Sequence, residues 1–271
     1  MNEASLKSKL KNLSKETGKT RNELFKQLIF ERFLARVSQS PHRNNLIFKG
    51  GLCLRQYVEI NRETKDLDFL IKKANAEKAR IESIFNEIAA LGLGDNFQFH
   101  KANLTELEVE HKLYPGFRIK IPVTMGNIKD NLQIDIGVGD FVQEKELKVV
   151  TLNYKDAPMF DQKSISVLAY PPEYIFSEKL QAITQLKALN SRMKDYFDCY
   201  TLIKENVMDA IKVKEATKQT FDRRNTKLSP LEDYSDELSP HWAAFKKKVE
   251  GAPEELSEII KVINSYLSQI P

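Results

Sequence analysis

The 271-residue chain carries 42 lysines and arginines against 38 aspartates and glutamates, a formal net charge of +4, with 41% hydrophobic and 30% charged residues. That composition is expected of a soluble globular protein with one large core or two moderate ones. It excludes a membrane-spanning helix, because no apolar run approaches about 18 residues, and the N-terminal MNEASLKSKLKNLSKETG lacks the apolar core of a secretory signal. Cys53 and Cys199 lie in apolar segments with no metal-ligand spacing, so free thiols in a reducing compartment are expected. His42, His100, His111 and His241 are scattered, which argues for structural or surface roles and against zinc. The mild positive excess is compatible with a nucleic-acid partner without requiring one.

Residues 2–17 are expected to form a short amphipathic helix, with Leu6, Leu10 and Leu13 at helical spacing and Gly18 as its break. A stronger helix follows over 20–38, anchored by Leu24, Leu28, Ile29 and Phe33, with Thr20 and Glu23 as a capping box. Pro41 ends this arm. Strands and helices then alternate: a strand at 45–48, a helix opened by Gly50-Gly51 and reaching Tyr57 or Val58, a strand at 66–71, and a helix at 74–91. Segments 96–102, 105–113 and 116–124 alternate well enough for an antiparallel meander, and 131–138 is a further strand. Ile165 to Leu168 suits a short edge strand. Pro172 suits the first turn of a helix over 173–189, and further helices are expected at 192–205, 207–220, 241–250 and 253–268. The polar segment 225–241, with Pro230 and Pro240, reads as a loop. The fold class is therefore α+β: a mixed sheet with packed helices over 1–158, followed by a helical domain over 159–271 that completes the active-site cleft.

The chemistry concentrates in LIFKGGLCLRQYVEINRETKDLDFLI, residues 46–71. Asp66 and Asp68 are two apart on a strand, so they point the same way. At a solvent-facing sheet edge such a pair can bind a divalent cation. Asp135 lies between Ile134 and Ile136 in an apolar strand, where a lone aspartate would be costly, and offers a third carboxylate. Taken alone, an Asp-x-Asp pair is more often a solvated turn. Gly50 and Gly51, between strand and helix, let the backbone approach a phosphate and leave amides free to donate; a simple tight turn is the plain alternative. Lys49 flanks this turn, and Arg62, Thr64 and Lys65 line the approach to the aspartates, any of them able to touch nucleotide. Arg55, one turn into the helix, reads as structural.

In the helical region, Lys179 in a semi-apolar helix suits the β/γ-phosphates as a point charge. Asp195 and Asp198 share a helix face; one of them would hold Lys179 or Arg192 in place, or act as a base toward an acceptor hydroxyl. The bland alternative is a salt-bridge network pinning the two helices. Lys246 to Lys248, Arg223, Arg224 and the lysines of 212–218 make the region locally basic, able to receive an RNA backbone without reading sequence.

FKGG at 48–51, Leu54, DLDF at 66–69 and LQIDIG at 132–137, followed by SEKL at 177–180 and RMKDYFD at 192–198, resemble the AbiEii/AbiGii toxin family. That family belongs to the nucleotidyltransferase superfamily, whose sheet it shares with DNA polymerase beta. The resemblance covers about residues 20–205, and includes the LARVSQSP tail before the FKGG strand. It implies a toxin of a toxin–antitoxin or abortive-infection pair that uses an NTP and Mg²⁺ or Mn²⁺, with some relatives adding nucleotides to tRNA 3′ ends. It places Gly50 and Gly51 near the triphosphate, Asp66 and Asp68 on the metal, Lys179 on nucleotide phosphates, Asp195 (or Asp198) as the acid of the last motif, and Asp135 at the superfamily's third carboxylate. The usual glycine-serine turn is glycine-glycine here, followed by Leu52, so backbone amides must act where a hydroxyl would. The region 206–271 carries no assignable motif.

The expected function is an NTP- and metal-dependent nucleotidyltransferase modifying tRNA 3′ ends, cytoplasmic, with a cognate antitoxin as partner. The alternatives are a nucleotidyltransferase acting on a small-molecule or protein hydroxyl, and a non-catalytic nucleotide-binding regulator.

Overall fold

The structure is a computed structural model that describes residues 1–60, 62, 64–71, 77–107, 116–160 and 165–270. In chain order its elements are α1 (Glu3–Thr17), α2 (Arg21–Gln39), β1 (Leu46–Lys49), α3 (Gly50–Leu54), β2 (Leu67–Ile71), α4 (Lys78–Ala89), β3 (Gln98–Phe99), β4 (Asn103–Leu107), β5 (Gly116–Met125) and β6 (Ile128–Val138). Then come β7 (Lys145–Lys148), β8 (Asn153–Tyr154), β9 (Ala157–Pro158), β10 (Ser166–Ala169), α5 (Pro172–Leu186), α6 (Met193–Lys204), α7 (Ala210–Arg223), α8 (Ser235–Lys246) and α9 (Leu256–Gln269). The chain groups into two compact units. One comprises Met1–Lys49, Lys65–Gly139 and Lys145–Ala169; the other comprises Gly50–Thr64, Asp140–Glu144 and Tyr170–Pro271. The glycine turn and α3 thus pack with the C-terminal helices, and residues 159–160 and 165–169 with the sheet.

The first unit is built on a mixed sheet in the order β3-β5-β6-β2-β1-β10-β7, with β4 also on β5. β2 runs parallel to β6 and β1 parallel to β10, while β1–β2, β5–β6 and β7–β10 are antiparallel. Phe48, Phe69, Ile136 and Phe117 are consecutive register partners across β1, β2, β6 and β5, and all are buried. Aromatic contacts run from Phe69 to Phe85 of α4 and on to Phe33 of α2, at ring separations of 6.3 and 6.2 Å. α2 has the capping box expected of Thr20 and Glu23. It also buries two arginines. Arg36 forks onto Asp95 at 2.9 Å, and Arg32 pairs with Glu31 at 2.6 Å and lies over the Phe160 ring.

The three-strand meander expected over 96–124 is not what forms. β3 and β4 lie one after the other along the same side of β5, and the chain steps away between them where Ala102 N donates to the Asn86 side chain. The rest of the strand expected at 105–113, the first residues of the helix expected at 74–91, and His111 lie outside the described residues. β7, β8 and β9 were not foreseen.

In the second unit α5 begins with Pro172 in its first turn, as expected, and buries Ile175, Phe176, Leu180 and Ile183. Cys53 and Cys199 are buried free thiols. The loop expected over 225–241 is interrupted by α8, which contains Pro240. Pro240 cannot donate a helix hydrogen bond, at a cost of about 3 kcal/mol. Burial of Leu238 and Trp242, one turn apart on the same face, offsets it, and Trp242 stacks on Phe245 with ring centroids 5.4 Å apart.

Candidate active site

Each unit carries a cluster of charged side chains. In the sheet unit the register sets them in a line. Lys49 on β1 is opposite Asp68 on β2, Asp68 opposite Asp135 on β6, and Asp135 opposite Arg118 on β5. Register partners project from the same face, so Lys49, Asp68, Asp135 and Arg118 form one transverse row, with Asp66 two residues before Asp68 on that side. All five are partly exposed, whereas the next register row, Phe48 to Phe117, is buried on the opposite face. The acids were expected at a sheet edge. They lie instead on the two central strands, and the open face gives them solvent.

The row is bounded by a cation at each end. Arg118 forks onto Asp135, Nε to Oδ1 and Nη2 to Oδ2, both at 2.7 Å. These bonds push the Arg118 pKa up, and the charges of Asp135, Asp66 and Asp68 add to the shift. On the other flank Lys49 reaches toward Gly137, where an added Cβ would stand 3.9 Å from its Nζ. Sequence reading passed over Arg118. The available signal was a single arginine in the apolar alternation of GFRIKIPV, which register turns into the partner of Asp135.

Among the described residues no group of three or more His, Cys, Asp or Glu side chains is gathered to hold a metal ion. Asp66 and Asp68 nevertheless supply the donor set Mg²⁺ takes at phosphate-transfer sites: one or two carboxylates, with waters and substrate phosphates completing the shell. Asp135, expected as a third ligand, has both oxygens engaged by Arg118.

The second cluster lies in the helical unit and is buried except for Arg192, whose side chain is half exposed. Arg62 forks onto Asp198 at 2.7 and 2.6 Å. Lys179 of α5 sits between Asp195 and Asp198 of α6 at 2.8 and 2.7 Å, and Arg192 Nε lies 2.8 Å from Asp195. Neither aspartate has any exposed side-chain surface. The result is an alternating chain, Arg62–Asp198–Lys179–Asp195–Arg192, with three cations for two carboxylates. Burial would lower the Lys179 pKa, but Asp195 and Asp198 outweigh it and hold the ammonium above the ordinary lysine range. Burial would likewise raise Asp198, and Lys179 and Arg62 override it to hold the carboxyl below its usual range.

The glycine turn belongs to this unit. Gly50 has φ +74°, in the left-handed region that favours glycine. Gly51 is needed for space: an added Cβ would lie 3.0 Å from Arg62 Nη2 and 3.1 Å from Thr64 Oγ1. Thr64 Oγ1 accepts from Arg62 Nη1 at 3.2 Å, and Arg55 Nη2 donates to the Arg62 carbonyl at 2.9 Å, the structural role expected of it. Gly50-Gly51, Thr64 and Arg62 are therefore one packed assembly rather than separate motifs.

None of the curated proteins compared matches this chain. Among solved structures, the chain is similar to JHP933 from Helicobacter pylori, at 15% identity over 92% of this chain and 91% of that one, with a TM-score of 0.50. It is equally similar to a candidate nucleotidyltransferase from H. pylori, at 14% identity over 93% and 96% of the two chains, with a TM-score of 0.50. At such identities the likeness is one of fold: the mixed sheet and packed helices are shared. The family model described as nucleotidyl transferase AbiEii toxin, type IV toxin–antitoxin system, matches residues 32–262, a span that holds the carboxylate row, the glycine turn and the buried ion-pair chain. The chain belongs to the AbiEii family and is a nucleotidyltransferase toxin of the type IV toxin–antitoxin class.

Proposed function

We propose that this nucleotidyltransferase is metal-dependent and transfers the nucleotidyl group of an NTP to the 3′ hydroxyl of tRNA. The observation that supports it most is the row on the open sheet face, where Asp66 and Asp68 stand beside Asp135 with Lys49 and Arg118 as flanking cations. Asp66 and Asp68 hold Mg²⁺ or Mn²⁺, which when bound neutralises phosphate charge and favours attack on phosphorus. In the reaction the acceptor oxygen bonds to the α-phosphorus and the bond to the β-bridging oxygen breaks. Pyrophosphate leaves, and the hydroxyl proton passes to water. Lys49, at the end of the same row, supplies positive charge to the triphosphate. Asp195 and Asp198 act by holding Lys179 and Arg62 charged and fixed.

An RNA acceptor is supported by the exposed lysines of α7, Lys212, Lys214 and Lys218, and by Lys247 and Lys248, which suit a phosphate backbone. Arg224 does not join them, because it is paired with Asp140 and Glu178. A type IV toxin implies a cognate antitoxin as the second partner. Among the described residues no helix is long and apolar enough to cross a membrane; a cytoplasmic site of action is part of the proposal.

The test is label transfer. Purified protein is incubated with each α-phosphorus-labelled NTP, Mg²⁺ and total tRNA, beside the Asp66→Ala/Asp68→Ala variant. Label on tRNA that the variant loses is the expected outcome. Transfer to a small molecule or protein with no RNA labelled would overturn the acceptor assignment, and transfer undiminished in the variant would overturn the metal assignment.

A further inference from the structure

We propose that a groove in the helical unit receives one unpaired nucleotide of the RNA acceptor, its base set against tyrosine and neutral polar side chains. The proposal rests on the RNA-acceptor reading above and goes beyond it by naming a place where the RNA is held. It also gives a role to the C-terminal region, which carries no motif.

Two helix ends make the groove. α5 ends at Leu186, and Lys187 turns the chain with φ +48°. α7 ends at Arg223, and Asn225 turns it with φ +47°. Positive φ is uncommon outside glycine, and residues held there collect at ligand sites. Here two of them line one groove. From Thr226 to Tyr234 the chain has no regular secondary structure, yet it is pinned near both ends. Thr226 N donates to the Phe221 carbonyl at 2.9 Å, and Thr226 Oγ1 accepts from Gln181 Nε2 at 2.9 Å. Leu231 exchanges bonds of 2.8 and 2.9 Å with the Asn264 side chain of α9. The wall is therefore fixed before any ligand arrives.

The lining selects the ligand. The groove is open to solvent and holds about 380 Å³, within the range of about 300–1,000 Å³ usual for small-ligand sites. Tyr196 of α6 lines it while only 1% exposed, and so forms its floor. Tyr234 is part-exposed on the wall, where its hydroxyl donates to Glu232. Such rings offer flat faces on which a base can stack. Thr184, Gln185, Asn225 and Ser229 add hydroxyls and amides that suit the edges of an unpaired base. An apolar ligand would leave these groups without partners. Charge narrows the choice further. Arg224 is taken by Asp140 and Glu178, and Lys187 lies 3.5 Å from Glu232. Lys227 remains among the lining residues to meet a phosphate. One ammonium matches the single charge of a phosphodiester and falls short of a triphosphate.

The test is fluorescence anisotropy of the full chain with a labelled single-stranded RNA hexamer, with the same sequence as a duplex, and with tRNA. Tyr234→Ala should weaken hexamer binding about tenfold, the scale of one lost base–aromatic stack, and leave duplex binding within about twofold. Tyr234 is part-exposed, so its removal leaves the core intact. Tyr234→Phe should bind the hexamer as wild type does, because the ring and not the hydroxyl meets the base. Lys227→Ala should lower the salt dependence of hexamer binding by about 0.7 in log–log slope, one single-strand phosphate contact. Hexamer binding unchanged in Tyr234→Ala overturns the proposal, and so does equal weakening toward both RNAs, which would mean that the groove senses backbone charge alone. Affinity for free ATP weakened as much as that for the hexamer would assign the groove to the substrate NTP and overturn the RNA assignment. Wild type that binds tRNA but not the hexamer also overturns it. Wild type that binds none of these RNAs brings down the acceptor reading itself, and this proposal with it.

Discussion

The two charged clusters are made of the same residue types and obey opposite rules. On the sheet face, Asp66, Asp68, Asp135, Lys49 and Arg118 retain part of their exposure. In the helical unit, Asp195 and Asp198 have none, and each is held by two cations. Water screens the first set and supports unbalanced charge there, which is what a ligand-binding site requires. The two carboxylates of the second set have no such support, so cations of the protein must neutralise them. Acids three residues apart on a helix and acids two apart on a strand look alike in sequence. Burial separates a group that can meet a ligand from one that can only organise its neighbours.

The largest effect that would break this contrast is expected at Asp198. Asp198→Ala leaves Arg62 and Lys179 buried beside an empty position, and should cost about 3–5 kcal/mol of stability in urea unfolding. Its pH signature has a definite sign. The folded pKa of Asp198 is lowered, so its contribution is fully present above the unfolded value of about 3.9 and is lost as pH falls through the folded value. Lys179 is raised, so its contribution is complete below the unfolded value of about 10.4 and is lost as pH rises through the folded one. The network's contribution should therefore be flat across neutral pH and fall at both extremes. In Asp198→Asn the acid limb should be diminished. An acid limb unchanged from wild type would show that the pair contributes nothing to the folded state.

Smaller effects are expected at the two glycines, for different reasons. Gly50→Ala forces an L-residue to φ +74° and should cost about 1–2 kcal/mol. Gly51→Ala puts a methyl group 3.0 Å from Arg62 Nη2 and 3.2 Å from Thr64 Cγ2, and should cost about 1 kcal/mol as these give way. Because Gly51 presses on the Arg62 fork, Gly51→Ala and Asp198→Ala should be non-additive in a double-mutant cycle, whereas Gly50→Ala and Asp198→Ala should be close to additive. Equal coupling for both glycines would remove the distinction between a conformational and a packing requirement.

Much of this was legible in the sequence wherever the signal was local. The β1–turn–β2 order, the capping box at Thr20, Pro172 at the start of α5 and the pairing of Asp66 with Asp68 each depend on residues within a few positions. What was not legible depends on register or on distant partners. Arg118 is 17 residues from Asp135, and only strand alignment places them opposite one another. Arg62 is 136 residues from Asp198, so its role could be named only as one of several nucleotide contacts. β7, the charged segment KELK, becomes a strand because β10 offers it an edge. The same gap left Asp195 and Asp198 unresolved: spacing puts them on one face, but only the packing of α5 against α6 shows both buried against Lys179.

The smallest stability effect sharpens the contrast most. Asp66 immediately precedes β2, is part-exposed, and neighbours the like charge of Asp68. Asp66→Asn should change stability by no more than about 0.5 kcal/mol, because a screened surface charge is removed and no buried partner is stranded. Yet it should lower nucleotidyl transfer at least about 100-fold, the scale typical when one electrostatic stabiliser is removed from a catalytic site. Unfolding and initial-rate measurements on the same preparation separate the two. Asp198→Ala should move both together, as a scaffold residue does; Asp66→Asn should move activity alone. A stability loss of about 2 kcal/mol or more in Asp66→Asn would mean that the sheet acids are internal ion-pair partners too, and that exposure does not divide ligand sites from scaffold in this fold.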